Sequence, residues 1–161
     1  MNKKGHVVNA ALLGIGLGYL LEPAGDEQTF AMIIAVGIPV ILGALFPDVD
    51  TAFGKHRKTL HNLPILAGFL AFPYFFGNLE YVWIGILTHY VLDVAGSTRG
   101  IALFYPVLKK EYNLPFGVAV SSSRADIVTI IVTVAELAIA AALIYWLPEF
   151  GFELWQGVLE R

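Results

Sequence analysis

The stretch IVTIIVTVAELAIAAALIYWL, residues 127–147, decides the fold. It is a long apolar run in which Glu136 is the one charged residue. A helix that crosses a bilayer needs about 20 predominantly apolar residues. Residues 127–147 meet that requirement without help from their flanks. We therefore predict a transmembrane helix over this stretch.

Four further apolar runs precede it, at residues 7–21, 29–46, 63–77 and 81–95. The whole chain is 57% hydrophobic and 14% charged, whereas soluble domains contain about 25% charged residues. Some of the runs are short for a spanning helix, so they must borrow flanking residues or thin the bilayer. The sequence predicts an all-α integral membrane bundle of about five transmembrane helices, forming one membrane-embedded domain over residues 1–161.

The basic residues predict the orientation of this bundle. With a cytoplasmic amino terminus, nine of the ten Lys and Arg residues fall on the inner side. These nine are Lys3, Lys4, Lys55, Arg57, Lys58, Arg99, Lys109, Lys110 and Arg124. Basic residues concentrate in cytoplasmic loops of membrane proteins. We therefore expect a multi-pass protein of the inner membrane of the cell with its amino terminus in the cytoplasm.

Composition also limits the kind of function. The formal net charge is −3 and the chain has no cysteine. The charge, with no basic stripe in the sequence, argues against nucleic acid as a partner. The lack of cysteine excludes thiolate ligands and a cysteine nucleophile. A metal site in this chain must use nitrogen and oxygen ligands.

His89 and Asp93 form the strongest chemical signal. They lie four residues apart in an otherwise apolar helix, so they share one face about one turn apart. Ionisable residues in a span are costly and usually functional. The pair fits either two ligands of one ion or a hydrogen-bonded pair that joins helices.

Two shorter patterns lie between the second and third apolar runs. Asp48 and Asp50 are separated by one residue where the second run ends, and His56 and His61 follow in the next segment. A turn could aim both carboxylates at one cation, and an irregular loop could bring both imidazoles together. The alternatives are a solvated, helix-ending turn and a basic loop that touches anionic headgroups.

The predicted topology gathers all of these residues, with His6, on the cytoplasmic side. The predicted metal ligands are His6, Asp48, Asp50, His56, His61, His89 and Asp93. This set exceeds the need of a single zinc ion, so we expect one or two divalent ions. Imidazole with carboxylate suits zinc, which we favour, and also manganese or iron.

Hydrolysis is the chemistry that such a site suggests. A divalent ion acidifies bound water, and Arg57 or Arg99 could neutralise a phosphate-like transition state. His6 could serve as a base instead of a ligand. Because the site lies at the membrane, we expect membrane lipids as partners and a lipid or lipid-linked phosphoester as substrate.

Two other features favour packing roles. Gly14 and Gly18 have the small-xxx-small spacing of closely packed helices. Glu136 could be a proton or ion relay, but it has no partner in the linear pattern, and we expect it instead to make a hydrogen bond inside the bundle.

Several motifs together resemble a known family. They are Pro47-Asp48-Val49-Asp50, His56 to His61, His89 to Asp93, Thr98-Arg99-Gly100 and Leu103-Phe104-Tyr105-Pro106. In order and spacing the chain resembles the LexA-binding, inner-membrane-associated family of membrane-bound metal-dependent hydrolases, over roughly residues 6–106. The resemblance implies a metal site that uses the His and Asp motifs, and a loop at residues 98–106 that faces the substrate. One departure is Asn62, where the family has serine after its second loop histidine.

Two rival functions use the same residues. A cation transporter or channel would line the whole bundle with polar groups. A non-enzymatic membrane scaffold would hold a structural metal with four ligands and no open position. The oligomeric state does not follow from the sequence.

Overall fold

The computed structural model describes residues 3–115, 117–118, 122 and 124–148, and this part of the chain is helical without strands. The helices are α1 (Lys3–Leu21), α2 (Glu27–Leu45), α3 (Leu63–Phe76), α4 (Val82–Ala95) and α5 (Arg124–Ala141), which continues as a π-helical turn, Ala142–Trp146. A 3-10 helix, Pro47–Ala52, follows α2 directly. Each predicted apolar run thus corresponds to one helix, and the predicted all-α fold is confirmed.

The helices differ in their capacity to cross a membrane. Three segments of the described chain are long and apolar enough, namely Lys3–Leu21, Glu27–Ala52 and Arg124–Trp146. Helices α3 and α4 have 14 residues each. A helix of that length rises only about 21 Å. The outer face of α5 is apolar, as a lipid-facing helix requires, and Ile131, Val134 and Ile139 each expose 61% of their surface.

Polar residues set several helix ends. Asp26 accepts hydrogen bonds from the amides of Gln28 and Thr29 at the start of α2 and completes a capping box with Thr29. Asn62 caps α3 by accepting from the amide of Ile65 at 3.1 Å. Gly77 ends α3 with φ of 65°, a left-handed conformation that glycine adopts without steric cost.

Glycines allow the central helices to approach closely. A Cβ atom on Gly14 of α1 would lie 2.6 Å from the Cα atom of Gly37 in α2, and one on Gly18 would lie 2.5 Å from the Cα atom of Ile33. The predicted packing role of Gly14 and Gly18 is therefore confirmed. Gly43 of α2 and Gly85 of α4 are equally tight, because a Cβ on either would collide with the backbone of the other helix.

Helix α1 packs against α2 and α5, and α2 packs against α4. A buried apolar cluster joins α1 and α2 and contains Ala10, Leu13, Leu17, Val36, Val40 and Ala44. This arrangement places the start of α1 and the ends of α2 and α4 at the same end of the bundle, where His6 and Asp93 approach to 3.4 Å.

Two loops cover that end of the bundle. The amide of Leu63 donates to the carbonyl of Leu103 at 2.8 Å, and the amide of Ala102 donates to the carbonyl of Arg57 at 2.9 Å. These bonds tie the segment before α3 to the segment after α4. The second segment folds back on itself through an isolated bridge between Ile101 and Tyr112. The loops therefore enclose the helix ends that carry the His and Asp motifs.

Candidate metal centre

The structure brings all seven predicted ligands to one end of the bundle. Six of them form two neighbouring groups, and within each group the ligand atoms lie within 4.8 Å of one another. One group is His6, His89 and Asp93, and the other is Asp48, His56 and His61. The groups are in contact with each other, because His61 of the second approaches both His89 and Asp93 of the first.

Four ligand atoms converge where the groups meet. The Nε2 atoms of His61 and His89 lie 3.1 Å apart. The Oδ2 atom of Asp93 lies 3.7 Å from the first and 3.5 Å from the second. The Oδ1 atom of Asp48 lies 3.8 Å from both. The four atoms come from the 3-10 helix, the loop before α3, and α4.

The other nitrogen of each of the two histidines is occupied by an acceptor. Nδ1 of His89 lies 2.7 Å from the carbonyl oxygen of Ala44, at the end of α2. Nδ1 of His61 lies 3.0 Å from Oδ2 of Asp50. A carbonyl and a carboxylate can only accept, so the proton of each ring resides on Nδ1. When both rings are neutral, their Nε2 atoms therefore present lone pairs to each other.

These distances and charges fit a divalent cation. Ligands about 2.0 to 2.1 Å from a tetrahedral zinc ion lie about 3.3 to 3.4 Å apart, and the five distances above range from 3.1 to 3.8 Å. Two neutral imidazoles and two carboxylates would balance a charge of +2. A dication would also relieve the repulsion between the facing lone pairs. The described residues can thus hold a metal ion.

His6 extends the cluster on the side of α1. Its ring stacks on that of His89, with centroids 3.7 Å apart and an interplanar angle of 9°. Its Nε2 atom lies 3.4 Å from Oδ1 of Asp93, the oxygen that does not face His61. Among the described residues, the buried Nδ1 atom of His6 has no hydrogen-bond partner. His6 is thus beside the centre and in contact with one of its carboxylates.

Asp50 and His56 lie on the opposite side of the cluster. Oδ1 of Asp50 lies 3.0 Å from Nδ1 of His56, and Oδ2 of the same carboxylate contacts His61. Asp50 is fully buried, whereas 42% of the His56 side chain is exposed. Asp48 thus contacts the Nε2 atom of His61, and Asp50 contacts its Nδ1 atom. An acid behind a metal-bound imidazole fixes the tautomer and the orientation of the ring.

The environment of His61 favours its neutral form. Burial, and to a smaller extent the neighbouring His89, lowers the pKa of His61 to about 4, although Asp50 and Asp93 act in the opposite direction. A neutral imidazole is the form that binds metal. His61 is therefore ready to act as a ligand at neutral pH.

The two predicted catalytic arginines contact the loop after α4. Arg57 is buried, has φ of 67°, and donates from its guanidinium to Ser97 Oγ at 3.1 Å and to the carbonyl of Arg99. The Arg99 side chain, 65% exposed, pairs with Glu111 at 3.0 Å and lowers the pKa of that carboxyl. Arg57 thus holds the loop in place, and the catalytic role of both arginines stays a prediction.

Three contributors to the site were missed by sequence reasoning. The Ala44 carbonyl orients His89, a role that no side chain signals. Tyr90 holds the loop that carries His61, because its hydroxyl donates to the Leu60 carbonyl at 2.5 Å and accepts from the Asn62 amide at 3.1 Å. Its position next to His89 was an available signal. Asn62, the departure from the family pattern, serves as the cap of α3.

The fold and the site together define a helical membrane protein with a buried His/Asp cluster that can hold a metal ion. Residues 1–156 match the model of the YdjM inner membrane protein family, and the chain belongs to that family. Family and apolar helices agree on a membrane location. No curated protein and no solved structure matches the chain significantly.

Proposed function

We propose that this chain is a multi-pass, metal-dependent hydrolase of the inner membrane, whose site faces the cytoplasm. Its metal ligands are His61, His89, Asp93 and Asp48. Asp50 orients His61, and His6 and His56 border the centre as ligands of a second ion or as bases. This assignment keeps the seven residues predicted from the sequence and gives them different roles.

The observation that carries the proposal is the approach of the two Nε2 atoms of His61 and His89 to 3.1 Å while both Nδ1 atoms donate elsewhere. Two lone pairs at that distance repel each other unless a cation lies beside them. A structural hydrogen-bond network would place a donor in one of the two positions. Metal binding therefore explains this geometry better than a network that only joins helices.

Hydrolysis requires an ion that activates water and a path by which water reaches that ion. A divalent ion supplies Lewis acidity, which activates water for hydrolysis at neutral pH. The side chain of Asp48 is 14% exposed and that of His56 is 42% exposed, so water can reach the cluster from this side. His56 lies 3.9 Å from Asp48 there, where an imidazole could accept a proton.

A lipid or a lipid-linked phosphoester is the substrate class we propose. The cluster lies at the ends of apolar helices, and the basic residues Lys58, Lys109 and Lys110 belong to the covering loops. The positive-inside distribution supports a cytoplasmic position for this end. Reporter fusions after residues 52 and 110 should both report the cytoplasm. A fusion on the opposite side at either place contradicts the orientation.

Metal content tests the centre itself. Purified wild-type protein should contain at least one zinc, manganese or iron ion per chain by plasma emission spectroscopy, and both His61→Ala and His89→Ala should lose it. Asp126→Asn, a change in an exposed acid of α5, is the matched control and should keep the metal. Wild-type protein without stoichiometric metal after expression in metal-supplemented medium would refute the proposal. Hydrolysis of lipid phosphoesters by the loaded protein then tests the enzyme.

The second candidate is a scaffold with a structural metal, and one observation favours it. Four protein atoms surround the central position, which is the number that a closed zinc site uses. X-ray absorption spectroscopy separates the candidates. Four protein ligands without a water oxygen support the scaffold, whereas a fifth, exchangeable oxygen ligand supports the hydrolase.

A further inference from the structure

A second polar cluster lies deeper in the bundle, away from the metal centre. It consists of Asn9 of α1, Thr88 of α4, and Thr133 and Glu136 of α5. The Nδ2 atom of Asn9 lies 2.9 Å from Thr133 Oγ1 and 2.9 Å from Glu136 Oε2. The Oγ1 atom of Thr88 lies 2.6 Å from both Asn9 Oδ1 and Glu136 Oε1. The expected hydrogen bond of Glu136 inside the bundle is thus confirmed.

These short contacts need one more hydrogen atom than the four side chains supply when Glu136 is ionised. The Thr88 hydroxyl has one proton and two oxygen neighbours at 2.6 Å. The Asn9 Oδ1 atom can only accept, so it takes the Thr88 proton. The remaining contact, between Thr88 Oγ1 and Glu136 Oε1, has a hydrogen only if Glu136 supplies it.

The same result holds if the Asn9 amide is turned around. Thr88 then accepts from the Asn9 amide and donates to Glu136 Oε1, and the Asn9 oxygen faces Glu136 Oε2 at 2.9 Å. That contact also needs a proton on Glu136. The turned amide would in addition face Thr133, whose hydroxyl already donates to the Thr129 carbonyl at 2.8 Å. Both orientations therefore require a protonated Glu136.

The surroundings of Glu136 agree with a neutral acid. Both of its hydrogen-bond partners are uncharged side chains, and Asn9 and Thr88 are buried. A charge within a spanning helix costs several kcal/mol unless it is paired. His6 on α1 and His89 on α4 are the titratable neighbours along the same helices, and both belong to the metal centre.

We propose that Glu136 is a proton-binding site, a carboxylic acid that keeps its proton at neutral pH. The bound proton completes the one network that links α1, α4 and α5 through side chains in the described part of the chain. Because Asn9 and Thr88 are on the helices that carry His6 and His89, the protonated acid also keeps these two histidines in register. This inference is independent of the hydrolase proposal.

Infrared spectroscopy of the purified protein in lipid nanodiscs at neutral pH tests this site. The carbonyl band of a protonated carboxyl should be present in the wild type, and Glu136→Gln should lose absorbance equal to one group per chain. Asp126→Asn, in the same helix, should leave that band unchanged. A loss in the carboxylate bands of Glu136→Gln instead would overturn the proposal.

A second measurement covers the case in which Glu136→Gln does not fold. Wild-type protein labelled with ¹³C-glutamate should show an isotope-shifted band of a protonated carboxyl. Its absence overturns the proposal without any variant. Metal content does not enter either measurement, so a failure here leaves the proposed metal centre untouched, and the reverse also holds.

Discussion

The imidazole rings of His6 and His89 are stacked with their centroids 3.7 Å apart. This contact joins α1 to α4 at the candidate metal centre, and it leaves Nε2 of His6 at 3.4 Å from Asp93. His6 thus contacts the candidate centre in two ways, by ring stacking and by a polar contact, and substitutions can remove one without the other.

Replacing His6 by Phe should keep the aromatic stack and remove the contact with Asp93. Outer-shell partners of metal ligands typically contribute about 10- to 100-fold to affinity. We expect His6→Phe to weaken zinc binding by about that factor while the protein stays folded. Competition with a chromophoric chelator in detergent measures the change. Unaltered affinity would mean that His6 acts only through packing or as a base.

The two acids on either side of His61 should respond differently to substitution. Asp48→Asn removes a proposed ligand, so stoichiometric metal should be lost. Asp50→Asn weakens the hold on the Nδ1 proton of His61 and should lower affinity by about 10- to 100-fold without abolishing binding. The same chelator competition ranks the variants. The reverse order would identify Asp50 as the ligand, as the sequence alone also allowed.

The metal-free protein should lose stability as the pH falls from 6.5 towards 4. His61 takes up a proton near pH 6.5 when unfolded, whereas its folded pKa is lowered to about 4 by burial. Between these values the unfolded state binds more protons, so acid lowers the free energy of unfolding, by up to about 1.4 kcal/mol per pH unit for one proton. Thermal unfolding of chelator-treated protein across this range measures it. His61→Gln should show a shallower dependence, and equal slopes would contradict the assignment.

The buried arginine should matter more for folding than the exposed one. Arg57→Ala removes a buried guanidinium that donates to Ser97 Oγ and to the carbonyls of Arg99 and Gly100 in the loop after α4, and an unsatisfied buried group costs about 1 to 3 kcal/mol. Arg99 pairs with Glu111 at the surface, where such pairs contribute at most about 1 kcal/mol. Denaturant unfolding of Arg57→Ala and Arg99→Ala compares them. If Arg99→Ala abolishes lipid phosphoester hydrolysis at unchanged stability, the catalytic prediction for Arg99 gains support.

Metal binding should also depend on a glycine that contacts no ligand. In Gly43→Ala the new Cβ would collide with the backbone of α4 at Val82, so α2 and α4 must separate, and Asp48 must move away from His89. We expect reduced metal content and a lower melting temperature. Gly68→Ala in α3 is the matched control, since its Cβ would meet nothing within 4 Å. Normal metal content in Gly43→Ala would show that the centre tolerates helix displacement.

The helices could be predicted from the sequence because each corresponds to an apolar run. The His89–Asp93 pair could be predicted because residues four apart lie on the same face of a helix. The roles of Asp48 and Asp50 were not predictable. With three residues per turn in a 3-10 helix, side chains two positions apart diverge, so only one acid faces the central position. The role of Arg57 depends on a loop pairing between residues 42 positions apart. No local pattern encodes such a pairing.

Helices α3 and α4, with 14 residues each, are about 9 Å shorter than the hydrocarbon layer of a typical membrane, which is about 30 Å thick. If both helices cross the membrane, as in the proposed multi-pass topology, a bilayer around them must become thinner on at least one side of this protein. Headgroups would sink towards the protein in that depression. A lipid could then bring its polar linkage to the proposed hydrolase site without leaving its leaflet.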